Sequence, residues 1–212
     1  KVLSIGNAVP FAIGGFSSRT VQTVVAEGEP VGFIRGYKAV LNPDNSLKEI
    51  LPLQNLGSTL PTAYGNFSLS ASYKNLSFML SGDYQYGAYV HSFDRQFRFS
   101  KGLKDDAIPE KALEGLDQGA NWLNFTNFFV EKSDFLKIRN IGIAYDYKPK
   151  KYLKSVNLAF NVYNPFAFTA SSVDPEAALA GARSQGAVAV GGLNYSSYST
   201  PRQYVGTIRV SF

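Results

Sequence analysis

The last nine residues of the chain, YVGTIRVSF (residues 204–212), place an apolar or small side chain at every second position. Successive side chains of a β-strand point to opposite faces, so this period of two predicts a strand with one apolar face. One face carries Tyr204, Gly206, Ile208, Val210 and Phe212, and the other carries Val205, Thr207, Arg209 and Ser211. The segment therefore indicates a sheet whose two sides meet different surroundings.

The same alternation recurs upstream and predicts six further strands, which makes the expected fold class all-β. These strands cover residues 21–25, 31–41, 67–73, 76–86, 135–147 and 156–162. The pair around Lys74-Asn75 is typical of a β-hairpin, because two alternating runs flank a two-residue turn. A second hairpin is predicted around Pro149, in a stretch rich in lysine.

Longer polar connections separate these hairpins, at residues 42–63, 91–124 and 165–201. Two of them contain a predicted short helix, at residues 108–116 and at residues 174–180, where Asp174 is the expected N-cap and a proline follows it. The connections alternate between long and short along the chain. A transmembrane β-barrel follows this rule, because its periplasmic turns are short and its extracellular loops are long.

The composition excludes several kinds of site. The 212 residues include no Cys and only His91, so a disulfide framework, a thiolate metal site and a multi-histidine metal cluster are excluded. Charged residues make up 17% of the chain, against roughly 25% in an average soluble domain. The net charge of +5 comes from scattered basic residues and does not predict nucleic-acid binding. The densest basic group is Lys148, Lys150, Lys151 and Lys154.

The alternating faces suit a membrane wall. A strand surface that meets lipid must be apolar and its backbone groups must pair within a closed sheet, while the opposite face can be polar. Six tyrosines suit the interfacial girdles of such a wall: Tyr73, Tyr84, Tyr86, Tyr145, Tyr147 and Tyr204. A soluble antiparallel sheet with one buried face gives the same alternation, so the pattern alone leaves both interpretations open.

Several stretches stand in an order that is specific to one family. They are GEPVGFIRGYK (28–38), LPTAYGNF with SYKN (60–67 and 72–75), FVEKSDFLKIRNI (129–141), NVYNPF (161–166), DPE (174–176) and YSTPR (198–202). In this order they resemble the C-terminal part of the SusC/RagA-type TonB-dependent outer-membrane transporters of Bacteroidetes-like bacteria. The sequence departs from the family pattern at Asn164-Pro165, where the family has Asn-Leu, and at Ser199, where proline is common.

The resemblance implies that residues 1–212 are the C-terminal portion of a larger, 22-stranded barrel. About seven strands cannot close such a barrel, and the family's signal peptide, TonB-interaction segment and plug domain have no counterpart in these residues. Family members lie in the bacterial outer membrane and import glycans, peptides or similar nutrients. A SusD-like surface lipoprotein captures the substrate, and TonB acts on the plug rather than on the barrel wall. The implied role has no enzymatic step and no cofactor or metal.

Six residues are candidates for functional contacts in this interpretation. Asp83, Gln85 and Arg209 are expected to face the lumen, where they touch substrate or plug or are simply solvated. Asp174 and Glu176 are expected in an extracellular loop near the lipoprotein, although a helix cap explains the same residues. Phe212 resembles the C-terminal aromatic signal that the outer-membrane insertion machinery reads.

Other polar residues favour plain structural roles. His91 is the one candidate base for a catalytic triad, and its position after a strand makes catalysis a weak hypothesis. Asp105-Asp106 and Glu110 could suggest a metal or an acid pair, but a polar loop explains them better. Two alternatives to the transporter remain at this point: a self-contained small outer-membrane barrel without energy coupling, and a secreted carbohydrate-binding β-domain.

Overall fold

The computed structural model describes residues 1–6, 11–15, 21–149, 152–176, 192–194 and 198–212. In these ranges the chain is mostly antiparallel β-sheet with a few short helices, which confirms the all-β prediction. Within the same ranges, no helix combines the length and the hydropathy that crossing a bilayer requires.

The strands are numbered here in chain order. Their bounds are β1 (Phe11–Gly15), β2 (Gln22–Val25), β3 (Phe33–Leu41), β4 (Leu47–Ser58), β5 (Ala63–Tyr73), β6 (Leu76–Tyr86), β7 (Tyr89–Ser92), β8 (Val130–Lys132), β9 (Phe135–Tyr147), β10 (Ser155–Thr169), β11 (Leu193–Asn194) and β12 (Gln203–Ser211). The helices are α1 (Phe93–Ser100) and α2 (Gln118–Asn121), with 3-10 helices at Glu110–Leu113 and Trp122–Phe129.

The chain divides into two compact units. The packed unit consists of Lys1–Thr62, Tyr86–Asp134 and Ala170–Ser199, and the sheet unit consists of Ala63–Gln85, Phe135–Thr169 and Thr200–Phe212. The packed unit contains the four-stranded sheet β1-β2-β3-β4 and the three-stranded sheet β11-β7-β8, whereas the sheet unit contains β12-β10-β9-β6-β5.

The prediction of a long connection at residues 42–63 is wrong for most of its length. These residues form β4, which pairs antiparallel with β3 through a short turn in which Asn42 N–H donates to Ser46 O. The β3–β4 ladder shifts register three times, and Leu53 takes a φ of 52° directly after Pro52. A bulged strand does not keep a period of two along its sequence, so the alternation that marks the other strands is lost here.

Of the two predicted helices, the first is confirmed only in small part, and the second stays a prediction. Within residues 108–116 a single 3-10 helix forms at Glu110–Leu113, and Gly115 leaves the helical region with a φ of 74°. At the second site Asp174 Oδ1 accepts the Glu176 N–H at 3.1 Å. The rest of that predicted helix, residues 177–180, lies outside the described residues.

An aromatic cluster forms the main core of the packed unit. Phe99, Phe125 and Phe129 are fully or almost fully buried, and their ring centroids lie 5.8 Å (Phe99–Phe125) and 5.5 Å (Phe99–Phe129) apart. The 3-10 helix that carries two of these rings packs on β3. There Asn127 Oδ1 accepts the Ala39 N–H at 2.9 Å and its Nδ2 donates to Ala39 O at 3.3 Å. The side chain of Asn127 thus satisfies both backbone groups of a residue in a bulged strand.

The sheet unit is an antiparallel meander in sequence order. The observed bounds of β5, β6, β9 and β12 agree with the predicted strands to within four residues at either end. Its connections alternate as predicted: β5–β6 and β9–β10 are joined by short turns, while β6–β9 and β10–β12 are separated by long stretches. Both short turns therefore lie at the same end of the strands. This end of the sheet unit, where β5 and β9 finish and β6 and β10 begin, is called the short-turn edge.

Strand β10 extends seven residues beyond its predicted end. A bulge between Tyr163 and Phe166 absorbs Asn164, which takes a φ of 51°, and Pro165, which has no N–H to donate. Asn164 Nδ2 donates to Pro201 O at 3.2 Å, and pairing with β9 then resumes up to Thr169. The proline that predicts the end of a strand is thus accommodated inside one.

Candidate functional site

One face of the sheet unit is apolar and exposed. Strand register aligns three rows across β6, β9, β10 and β12. The rows are Leu76–Tyr145–Leu158–Ile208, Phe78–Ile143–Phe160–Gly206 and Leu80–Ile141–Val162–Tyr204. Phe160 is 46% exposed and Ile208 is 73% exposed. The face predicted from the alternation is therefore assembled from four strands and left uncovered.

The sheet unit buries none of these side chains for itself. Every buried Ala, Val, Leu, Ile and Phe residue in the described part of the chain lies in the packed unit. Soluble proteins rarely leave an apolar surface of this extent open, and such surfaces mark contacts with lipid or with other protein. The exposed apolar face is therefore the candidate functional surface of this chain.

On this face, two aromatic rings pack over glycines of the neighbouring strand and hold β5 against β6. A Cβ on Gly82 would lie 2.4 Å from the Phe67 ring and 2.5 Å from Lys137 O, so Phe67 occupies the space that a side chain would take. A Cβ on Gly65 would lie 3.0 Å from the Tyr84 ring. Each strand thus supplies one glycine and one ring to the other, which is a common way to protect glycines near a sheet edge.

A shallow depression of about 460 Å³ interrupts the apolar face at β12. Gly206 lies within it, and a Cβ built there would meet no atom within 4 Å. Leu158, Phe160 and Ile208 border the depression. Phe160 also stacks on Tyr204 with ring centroids 6.5 Å apart.

The opposite face of the sheet unit is polar and internally bonded. Arg139 donates to both carboxylate oxygens of Asp83, with Nη2 2.8 Å from Oδ2. Near the other end of the strands, Asn157 Nδ2 donates to Asp146 Oδ1 at 2.7 Å. Charged and amide side chains fit a surface that meets water rather than hydrocarbon, because moving them out of water costs free energy.

The three predicted lumen residues share this polar face but not one site. Asp83 and Gln85 lie in β6, opposite Lys137 and Phe135 of β9. Arg209 lies in β12, opposite Asn157, and is therefore near the short-turn edge while Asp83 is near the other. Sequence reasoning gave the face of these residues and missed the Arg139 that engages Asp83.

The remaining predicted residues fall in separate places. Asp174 and Glu176 belong to the packed unit and are bonded to each other through the backbone N–H of Glu176. Phe212 follows β12 in the sheet unit and is 79% exposed. Their expected roles in partner contact and in assembly stay predictions.

Arg95 is a structural centre of the packed unit that the sequence did not indicate. Its guanidinium donates to Asp105, with Nε 2.9 Å from Oδ2, and to Glu131. Glu131 in turn accepts the hydroxyl of Ser172 at 2.8 Å. Burial is the largest single influence on the pKa of Asp105 and raises it. The hydrogen bonds from Arg95 and from the Ala107 N–H, together with the positive charges of Arg95 and Arg98, outweigh burial, so the pKa lies below its ordinary value. One cation thus joins segments that are far apart in the sequence.

His91 is an internal packing residue in β7. It is fully buried, and its Nε2 lies 2.5 Å from Gln96 Oε1. Gln96 Nε2 continues the chain of hydrogen bonds to Thr126 Oγ1 at 2.9 Å. Burial lowers the pKa of His91 to about 4, although the bond with Gln96 opposes this. His91 is thus shielded from solvent, which supports the structural interpretation.

Comparison with known proteins places this fold. No protein-family model matches the chain, and no curated protein matches it. Among solved structures, the RagAB peptide importer in its open-open state matches with a TM-score of 0.64 and 18% identity, over 100% of this chain and 25% of that chain. The chain shares its fold with part of a RagAB importer. The closed-closed state gives a TM-score of 0.66 and 19% identity over 98% of this chain and 25% of that one.

The RagAB match confirms the predicted resemblance to RagA-type transporters as a likeness of fold. It rests on three-dimensional similarity, because identity is only 18–20% in these two structures and in a further RagAB transporter structure. This chain spans about a quarter of the length of the importer chains that it matches.

Proposed function

We propose that the sheet unit is a wall segment of an outer-membrane transporter barrel, with its apolar face toward lipid and its polar face toward the lumen. The observation that carries this proposal is an exposed apolar face in a unit whose described residues include no buried Ala, Val, Leu, Ile or Phe. In water such a face would drive association, whereas in a bilayer it meets acyl chains at no hydration cost.

The strand lengths support the proposal. The five strands of the sheet unit contain between 9 and 15 residues. A tilted strand needs about 9–11 residues to cross the hydrocarbon core. Each strand can therefore span a membrane without any helix doing so.

The edges of this sheet fit a larger barrel. β5 and β12 are its outer strands, and neither has a second partner within the described sheet. Unpaired strand edges are not stable in hydrocarbon, so a wall of this kind requires further strands on both sides. We therefore treat residues 1–212 as one C-terminal portion of the 22-stranded barrel that the family resemblance implies, with the plug elsewhere.

The transported class and the partners follow from the resemblance. RagAB is a peptide importer, and we propose that this chain contributes to uptake of peptides, glycans or similar nutrients with a SusD-like lipoprotein. TonB would act through the plug and not through this segment. Asp83, Gln85 and Arg209 would line the lumen, Asp174 and Glu176 would lie near the lipoprotein, and Phe212 would signal assembly. Substrate passes without covalent change, so no residue is assigned a catalytic role.

A matched pair of substitutions in β12 tests the wall. Ile208→Arg places a charge on the apolar face, and Thr207→Arg places the same charge on the neighbouring polar position. A lipid-facing charge costs about 2–4 kcal/mol at the midplane and less toward the headgroups. We expect Ile208→Arg to reduce the amount of protein assembled in outer membranes measurably, and Thr207→Arg to leave it near wild type.

Equal tolerance at the two positions would contradict the assignment of the faces. A purified natural polypeptide that stays monodisperse in buffer without detergent would reject the membrane wall and favour a secreted β-domain. A gene that encodes no plug domain ahead of this segment would favour a small barrel without energy coupling.

A further inference from the structure

The positive charge of the chain is concentrated in the sheet unit. That unit contains nine basic and two acidic residues, whereas the packed unit contains twelve basic and fourteen acidic residues. The net charge of +5 therefore originates entirely from the sheet unit. Contact with acyl chains and water alone does not account for this excess of positive charge.

Three of these cations are exposed at the short-turn edge. Lys74 lies in the β5–β6 turn, Lys148 follows β9, and Lys154 precedes β10. Two backbone bonds fix this edge: Asp146 N–H donates to Asn75 O, and Lys154 N–H donates to Ser211 O, each at 2.8 Å.

No carboxylate of the described residues pairs with any of these three ammonium groups. Asp146, the acidic residue on the same edge, accepts a hydrogen bond from Asn157 instead. In the described part of the chain, none of the three ammonium groups thus forms an ion pair, and three lysines face one carboxylate at this edge.

Exposed tyrosines stand beside these lysines. Tyr73, Tyr147 and Tyr152 are all largely open, and Lys74 Nζ lies 5.2 Å from the centre of the Tyr73 ring. Tyr73 and Tyr147 continue the apolar face, since Tyr147 is opposite Val156 in the ladder. Rings that are half apolar, with lysines that extend past them, fit the level of lipid headgroups.

We propose that the short-turn edge binds the phosphate groups of anionic phospholipids through Lys74, Lys148 and Lys154. This inference rests on the proposed function, because it takes the adjoining apolar face to be in the bilayer. Lys74 and Lys154 are two to three strand spacings apart, roughly 10–14 Å, so they engage separate headgroups. The surface thus selects lipid charge at one leaflet and fixes the height of the wall in the membrane.

A lipid-binding titration tests this surface. The complete natural polypeptide is purified in a neutral detergent and titrated with fluorescent phosphatidylglycerol and, separately, with phosphatidylcholine. Lysines near a membrane surface contribute additively to the attraction of anionic lipid, so we expect wild type to prefer phosphatidylglycerol by about tenfold at low salt. The preference should shrink as salt is raised.

The variants separate specific contact from net charge. Replacing Lys74, Lys148 and Lys154 with Gln should reduce the preference to about twofold or less, and replacing all three with Arg should retain it. The control replaces Lys38, Lys48 and Lys101 with Gln, which removes the same charge from the packed unit. An unchanged preference in the first variant, or an equal loss in the control, would overturn the proposal.

The failure of this inference can be told apart from failure of the wall. If Ile208→Arg reduces assembly and the lysine variants bind lipid as wild type does, the wall stands and the headgroup surface is wrong. If Ile208→Arg and Thr207→Arg assemble alike, the wall itself is wrong. Circular dichroism of each variant confirms that its β-structure is intact before lipid is added.

Discussion

The two units of this chain solve the problem of apolar residues in opposite ways. The packed unit buries its aromatic rings, such as Phe99, Phe125 and Phe129, in contact with one another. It also pairs charges that are distant in the sequence, as the ion pairs of Arg95 show. The sheet unit instead spreads Phe78, Phe160 and similar side chains over one open face. The same residue types therefore stabilise one unit by burial in protein and, by our proposal, the other by contact with lipid.

Removing a ring from each unit gives the largest expected contrast. Phe125→Ala should destabilise the packed unit by about 3–5 kcal/mol, because it leaves a cavity in a close-packed core. Phe160→Ala should cost far less in detergent or lipid, because mobile acyl chains fill the space. Urea unfolding followed by fluorescence of Trp122, the one Trp of the chain, reports on the packed unit. Far-UV circular dichroism in detergent reports on the β-structure of the sheet unit, where Phe160 lies. Similar losses for both variants would erase the distinction between the units.

Breaking the Arg95 centre tests whether charge pairing stabilises the packed unit. Arg95→Met leaves Asp105 and Glu131 partly buried without their cation, and should lower the free energy of unfolding by about 2–4 kcal/mol. Lys48 pairs with Glu49 at the surface, so Lys48→Met should change the same quantity by less than about 1 kcal/mol. A small effect for Arg95→Met would show that the packed unit is stabilised by its buried aromatic rings and not by this charge pairing.

Acid should weaken the packed unit before it affects the sheet unit. Because burial lowers the pKa of His91 from 6.5 to about 4, the unfolded chain binds a proton at a pH where the folded chain does not. The free energy of unfolding should therefore be level above pH 6.5 and fall between pH 6.5 and 4, by on the order of 2–3 kcal/mol in all.

A single substitution isolates this effect of acid. His91→Gln removes the only histidine, so its stability should stay level between pH 6.5 and 5, above the range in which carboxylates titrate. A wild-type profile that is equally level in this range would mean that His91 does not stay neutral inside the folded chain.

The smallest expected difference in stability is between alanine substitutions at two glycines of the sheet unit. Gly82→Ala forces a Cβ into the Phe67 ring and Lys137 O and should cost about 1–3 kcal/mol. Gly206→Ala meets nothing within 4 Å and should leave stability unchanged within about 0.5 kcal/mol. The temperature at which the β-structure unfolds in detergent measures the stability of both variants. If the two variants behave alike, the rings do not lock β5 onto β6.

The sequence predicted the sheet unit far better than the packed unit, for a physical reason. A strand with one apolar and one polar face alternates at every position, so the local sequence is enough to assign Ile208 to one face and Thr207 to the other. β4 carries bulges that erase this period, and the 3-10 helix at Trp122–Phe129 is too short for a helical one. Arg95 finds Asp105 10 positions and Glu131 36 positions away, and no local pattern indicates such pairs.

The most direct test of the wall reads the surroundings of each β12 side chain in turn. The chain has no Cys, so single cysteines at positions 204–211 can each carry one fluorophore in protein reconstituted with brominated lipids. We predict quenching by the brominated chains at 204, 206, 208 and 210, and quenching by aqueous iodide at 205, 207, 209 and 211. Iodide quenching at every position, or no alternation between neighbours, would contradict a wall with lipid on one side only.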